Sequence, residues 1–259
     1  MSVKDQYGKV SVKRDGHVAI VEIDHPPYNH VFVGLMADLA TAFEDIDADK
    51  DIRATMLCTA GKAFCAGADF TGSESGVGDG GIGSLYDQAV RLFSAKKPII
   101  AAVQGAAVGA GLGLALVADF RVVAPEARFS ANFVKLGFHP GFGITHTLPR
   151  IVGAQRAALM CLTGRRVKGE EALAWGLADE CVALDKLRET AIALAKEIAE
   201  NAPLAVQQTR ATLRGELAAT VRAQTNKEFA IQSELRKSND FAEGIRAVAE
   251  RRPGNFTGT

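Results

Sequence analysis

Cysteine is scarce in this chain and never paired: Cys58, Cys65, Cys161 and Cys181 stand far apart with no C-x-x-C. That argues against a zinc ribbon or dithiol redox site and reads as small buried hydrophobes in a reducing compartment. Cys65 lies in the key loop described below but has no evident partner base. An excess of either charge is missing too. Thirty basic residues balance 30 acidic ones, so no global field favours nucleic acid or an anionic membrane as partner. The five histidines, His17, His25, His30, His139 and His146, show no metal-ligand spacing, and no metal is expected. There is no G-x-x-x-x-G-K-[ST], no H-E-x-x-H and no G-x-S-x-G, so phosphate-loop, zincin and serine-hydrolase chemistry lack their starting residues. A literal G-x-G-x-x-G at Gly78, Gly80 and Gly83 follows no strand and has no acidic residue at ribose distance. It reads as a flexible loop. One charge-free run, residues 98–118, is long enough to span a membrane. It starts at Pro98, contains Gln104 and is dominated by Gly and Ala, which suits a buried strand, a tight turn and a buried helix. Lys4, Asp5 and Lys9 without an apolar stretch argue against a secretory leader, and a cytoplasmic location is expected.

What the chain does have is two small-residue turns, each after an apolar strand-like run. The first is Gly61-Lys-Ala-Phe-Cys-Ala-Gly-Ala-Asp69 and the second Gln104-Gly-Ala-Ala-Val-Gly-Ala-Gly111. Small residues let a ligand approach the backbone, so bare N–H groups can act as donors. One amide from each turn, converging on one oxygen, makes an oxyanion hole.

Periodicity places a hairpin over 10–23 around Asp15-Gly16, then a helix carrying Leu35, Leu39, Phe43 and Ile46. Buried strands are expected at 53–59, 99–103 and 120–124, and helices at 85–94 and 112–117. The stretch 72–83 is Gly/Ser-rich and expected to be mobile. A short extended piece at 128–130 precedes an irregular stretch over 137–143, with His139 in it, and helices follow at 154–162 and 170–175. Gly176 suits a helix C-terminus, and 180–182 a last strand. Beyond Leu184 the pattern is all helix, with Leu187, Ala191, Leu194 and Ile198 on one face and Asn201-Ala-Pro203 as a break. Strands alternating with helices argue for an α/β core over 1–198. The helical tail over 199–259 has apolar faces that a homo-oligomer would cover.

The chain resembles the enoyl-CoA hydratase/isomerase family, the crotonases, along nearly its whole length. Its anchors are Ala63-Phe-Cys-Ala-Gly-Ala-Asp69, Lys97-Pro-Ile-Ile-Ala-Ala-Val-Gln-Gly105 and Gly109-Ala-Gly-Leu-Gly-Leu-Ala-Leu-Val-Ala-Asp119. Leu148-Pro-Arg-Ile-Val-Gly153, Leu162-Thr-Gly164 and Ala174-Trp-Gly-Leu177 add to them. The resemblance implies a spiral of ββα units with a C-terminal helical trimerisation region, as a homo-trimer or hexamer. It implies acyl-coenzyme A thioesters as substrates, with coenzyme A entering as part of the substrate and no resident cofactor. The thioester oxygen would accept from the N–H groups of Ala68 and Ala110. Phe64, Ala66, Gly67, Asp69 and Phe70 would line the coenzyme channel, with Gly109, Gly113 and Phe133 at the acyl group. Arg251 falls where relatives place a cation for the coenzyme phosphates, serving a neighbouring subunit. Asp69 and Asp119 read as structural carboxylates that hold turns.

The chain departs from that pattern at the acid/base positions. The two glutamates with which hydratases move the protons of water are Gly113 and Phe133 here, and the aspartate of some isomerases and of the dehalogenases is Gly141. None of the three can transfer a proton. The expectation is an enzyme with another proton carrier, His139, Tyr86, Asp87 or Glu74, performing isomerisation, hydrolysis or decarboxylation. Phe133 would stack on an aromatic acyl group. The alternative is a non-catalytic acyl-CoA binding protein; a conventional hydratase is disfavoured.

Overall fold

Two strands without a charged residue lie side by side in the middle of the main sheet, and the rest of the architecture follows from covering both their faces. The computed structural model describes residues 3–68 and 81–259. Asp69, Phe70, Glu74 and most of the 72–83 loop lie outside the described residues. The chain opens with β1 (Gln6–Tyr7), β2 (Val10–Asp15) and β3 (Val18–Ile23), an antiparallel meander. Then come α1 (Val33–Ala48), β4 (Ala54–Thr59), α2 (Gly81–Phe93), β5 (Ile99–Val103), β6 (Ala106–Val108), α3 (Ala110–Val117), β7 (Phe120–Val123) and β8 (Arg128–Ser130). A 3-10 turn, Asn132–Leu136, leads to α4 (Ile144–Thr163), β9 (Val167–Lys168), α5 (Gly169–Trp175) and β10 (Glu180–Cys181). Four helices end the chain: α6 (Leu187–Ala199), α7 (Pro203–Arg214), α8 (Leu217–Leu235) and α9 (Asn239–Ala249).

The main sheet has the order β1-β2-β3-β4-β5-β7-β10, parallel from β3 onward. A second sheet, β6-β8-β9, stands apart from it. Every residue of β4 and β5 is buried, as a parallel sheet covered on both faces requires. Side chains alternate between the faces. Ala54, Met56, Cys58, Ile100 and Ala102 meet Leu187, Ala191, Ala195 and Ala199 of α6. Leu57, Ile99, Ala101 and Val103 point into the larger core with Leu35, Leu39 and Phe43 of α1. The buried stripe of α6 is thus rotated from the expected one: Leu194 and Ile198 are half-buried at its edge. Alanines at the contact let the helix backbone approach the sheet closely.

Two polar clusters lock the helical tail to the core. Asp119 accepts from Ile99 N and Arg210 Nε, each at 2.8 Å through Oδ2, and from Arg214 Nη1 at 2.8 Å through Oδ1. It therefore ties β5 to α7, a structural role like the one expected for it. Glu228 of α8 caps the N-terminus of α4, where Gly143 offers no side chain. Its Oε2 accepts from Gly143 N at 2.7 Å, and its Oε1 from Thr145 N at 3.2 Å and Thr145 Oγ1 at 2.6 Å. The side chain is fully buried, and burial outweighs those donors, pushing the carboxyl up to about 7. A carboxyl raised on folding binds its proton more tightly in the native state. Its contribution to stability is full below the ordinary carboxylate range and is lost as pH rises through about 7. Between pH ~5 and ~7 the unfolding free energy should fall with a slope approaching ~1.4 kcal/mol per pH unit from this group, levelling off above that. Denaturant titrations across that range should show the slope flattened in Glu228→Gln; an unchanged slope would assign it to other groups.

Candidate active site

The site is built where the loop after β4 runs beside the β5–α3 connection. Asn29, buried and at φ 49, donates from Nδ2 to Ala60 O at 2.7 Å and Ala63 O at 2.8 Å. Thr59 Oγ1 donates to Ala63 O at 3.0 Å, and Gln104 Nε2 donates to Thr59 Oγ1 at 2.8 Å. The two segments then pair like parallel strands: Cys65 N donates to Ala106 O at 2.8 Å and Val108 N to Cys65 O at 3.0 Å. Glycine makes the approach possible. A Cβ on Gly105 would lie 2.0 Å from Lys62 O, and one on Gly111 2.0 Å from Cys65 O.

Beyond that pairing the segments open onto one cavity of about 210 Å³, lined by Ala66, Gly67 and Ala68 from the first and by Gly109 and Ala110 from the second. Ala110 is the first residue of α3, so its N–H has no acceptor within the helix. Gly109, at φ 56, sets the turn, and its own N–H donates to Ser130 O at 2.9 Å. No acceptor among the described residues takes the N–H of Ala68, whereas Gly67 O accepts from Val31 N at 3.0 Å. Both amides are available at one cavity wall. The positive end of a wholly buried α3 adds to the field there.

The opposite walls are apolar: Ile82 and Leu85 of α2, Phe133 and Leu136 of the 3-10 turn, then Phe138 and Phe142. Phe133 and Phe138 stack with centroids 6.4 Å apart. Polar side chains on the lining are His30, Tyr86 and Asn132; among the described residues that line it there is no carboxylate. Nor does any group of three or more His, Cys, Asp or Glu among the described residues come together as a metal site.

Of the residues singled out from sequence, Ala66, Gly67, Ala68, Gly109, Ala110 and Phe133 meet at this cavity, and so does Tyr86. Phe64 is instead fully buried in the core beneath the loop. Gly113 sits one turn inside α3 under a ring: a Cβ there would be 2.4 Å from Phe142 Cδ1. A Cβ on Gly141 would be 1.8 Å from the Tyr86 hydroxyl oxygen. Aromatic groups therefore fill the space beside both glycines. His139 does not line the cavity; its Nδ1 donates to Pro140 O at 2.7 Å and its carbonyl accepts from Gln232 Nε2 at 2.7 Å. Asp87 is ion-paired with Arg222 on the surface. Arg251, exposed at φ 55 after α9, does not line the cavity of its own chain; the expectation for it concerned a neighbouring subunit. Tyr86 donates its hydroxyl proton to Gln232 Oε1 at 2.8 Å, and burial drives its pKa upward, so it stays neutral. His30 and Asn132 were not singled out. Their only sequence signal is a polar residue in a short stretch between two regular elements.

Comparisons with known proteins bear on the family and the fold. A family profile described as "Enoyl-CoA hydratase/isomerase" matches residues 13–259. The Mycobacterium tuberculosis protein named "Probable enoyl-CoA hydratase EchA14" is 45% identical over 177 residues, 67% of this chain and 69% of that protein. The 1,2-epoxyphenylacetyl-CoA isomerase of Escherichia coli is 34% identical over 230 residues, 86% of this chain and 87% of that protein. Among solved structures, an enoyl-CoA hydratase/isomerase from Pseudoalteromonas atlantica superposes with a TM-score of 0.87 at 30% identity, over 96% of this chain and 100% of that one. With its fold, its paired glycine loops and its match over nearly the full length, the chain belongs to the enoyl-CoA hydratase/isomerase family.

Proposed function

We propose that the protein acts on acyl-coenzyme A thioesters, holding the thioester oxygen between Ala68 N–H and Ala110 N–H, by a route other than glutamate-assisted hydration. The observation that carries this reading is the coexistence of two available amides on one cavity wall with no carboxylate among its described lining residues. Preorganised donors stabilise charge on a carbonyl oxygen without reorganising during the reaction. Water addition to an enoyl group needs, besides, a group to deprotonate water and one to protonate carbon. Gly113 and Phe133 provide neither, and the Phe142 ring fills the space a longer side chain at 113 would need. Isomerisation, hydrolysis and decarboxylation each pass through an oxyanion or enolate that the two amides would hold. The rings of Phe133, Phe138 and Phe142 favour an apolar or aromatic acyl group. Leu204 and Leu213 of α7, exposed at 75% and 76%, support association of several copies.

The experiment is a panel of thioesters (crotonyl-, but-3-enoyl-, phenylacetyl- and methylmalonyl-CoA) followed by calorimetry and mass spectrometry. Binding of several, turnover of at least one and no crotonyl-CoA hydration above background are expected. Hydration at the ~10 s⁻¹ common among enzymes, or binding of none, would overturn the reading. The same carboxylate-free lining supports a second reading, an acyl-CoA binding protein without catalysis, which tight binding with no product would favour.

A further inference from the structure

We propose that His30 is a catalytic base of this site, removing a proton from the carbon next to the thioester carbonyl. The proposal rests on Ala68 and Ala110 as the donors to the thioester oxygen. Position is the first ground. Val31 forms a parallel bridge with Ala68 and donates to Gly67 O at 3.0 Å. Paired strands lie about 4.8 Å apart, so His30 is anchored beside Gly67, one residue from the amide that would hold the oxyanion. His30 is among the residues lining the cavity, and its ring is flanked by the Tyr28 ring at 5.6 Å.

Tautomer is the second ground. His30 Nδ1 lies 3.3 Å from Gly67 O. A carbonyl only accepts, so Nδ1 bears the hydrogen in that contact, and a neutral ring then keeps its lone pair on Nε2. The third ground is what else the cavity offers. Of the polar side chains among its described lining residues, Asn132 does not ionise. Tyr86 directs its proton to Gln232 and remains a neutral phenol. The imidazole is the one side chain on that described lining with a basic ring nitrogen free of a hydrogen.

The step is balanced without any co-reactant. His30 Nε2 forms a bond to the proton on Cα. The C–H electron pair becomes the Cα–C double bond, and the carbonyl π pair moves to oxygen, where the two amides hold the enolate. The imidazolium then returns a proton to Cα, or to the far carbon of an unsaturated acyl group.

Deuterium exchange tests this without knowledge of the natural substrate. The full chain is incubated with phenylacetyl-CoA or butanoyl-CoA in D2O, and deuterium at Cα is followed by mass spectrometry. The wild type should exchange. His30→Gln should exchange at least ~10²-fold more slowly, with binding of the same thioester by calorimetry changed less than ~3-fold. His30→Ala should regain exchange when imidazole is added. Full exchange by His30→Gln overturns the proposal. Exchange lost in both variants and not restored by imidazole makes His30 a positioning residue and also overturns it. A wild type that binds both thioesters without exchanging either overturns it and leaves the proposed thioester binding intact; one that binds neither removes both.

Discussion

Replacing Gly111 by alanine should nearly abolish thioester chemistry and destabilise the fold by about 3–5 kcal/mol. The sign is opposite to the usual one. Glycine to alanine inside a helix ordinarily gains roughly 0.5–1 kcal/mol, and Gly111 is the second residue of α3. Here the added Cβ would meet Cys65 O at 2.0 Å, Cys65 C at 2.7 Å and Cys65 Cβ at 2.9 Å. Two of those atoms are main chain and cannot rotate aside. Relief requires the two loops to part, which breaks the Cys65–Ala106 and Val108–Cys65 bonds that align them. A buried amide or carbonyl left without a partner costs about 1–3 kcal/mol, and overpacking adds a similar amount. Parting also moves Ala110 away from Ala68. A misplacement near 1 Å costs on the order of 10² in rate, and losing one oxyanion donor on the order of 10² to 10³. Denaturant unfolding and the Cα exchange rate would measure the two effects. A Gly111→Ala protein as stable and as active as the parent would mean the loops do not approach as described.

The second large effect is expected at Gly113. Alanine there should cost about 2–4 kcal/mol, because its Cβ would lie 2.4 Å from Cδ1, 2.6 Å from Cγ and 2.8 Å from Cβ of Phe142. Phe142 is fully buried, sits at φ 63 and packs edge-on against Phe93 at 6.4 Å, so its ring has little freedom to move. Installing glutamate at 113 alone should therefore give an unstable protein with no hydratase activity. Opening the space first is the informative route. Combined with Phe142→Ala and Phe133→Glu, Gly113→Glu should tolerate folding better than it does alone and begin to hydrate crotonyl-CoA. Thermal unfolding and ultraviolet loss of the enoyl chromophore read both outcomes. Wild-type stability in Gly113→Ala would refute the packing argument.

How much of this was readable beforehand depended on whether short or long range decides. β4 and β5 were plain because a strand buried on both faces has to be apolar throughout. Gly176 was plain because a helix ending in the left-handed region, φ 76 here, selects glycine. The two small-residue loops were plain for the same local reason. Three features were hidden. α4 is two helical pieces meeting at Gly153, whose φ 79 and ψ 160 are not helical; the second starts at 154 as expected, while the first, from Ile144 through Pro149, was hidden. Gly81 and Gly83 belong to α2 rather than to the glycine-rich loop, since α8 packs there; a Cβ on Gly83 would lie 3.7 Å from Phe229. His30 enters the cavity through the Val31–Ala68 bridge, a pairing of segments that no local pattern announces. In the same way the glycine at 113 was readable, but not that Phe142 fills the space above it.

The two amides proposed to hold the thioester oxygen belong to segments joined only by long-range pairing, and that has a practical consequence. A chain that has lost the contact between Cys65 and the strand Ala106–Val108 has no receptor left to offer. Any thioester that fits can then associate with the folded form alone, and each one must raise the melting temperature in proportion to the logarithm of its concentration over its dissociation constant. The acyl group this protein prefers can thus be ranked by heating it with candidate compounds, before anyone knows which bond it makes or breaks.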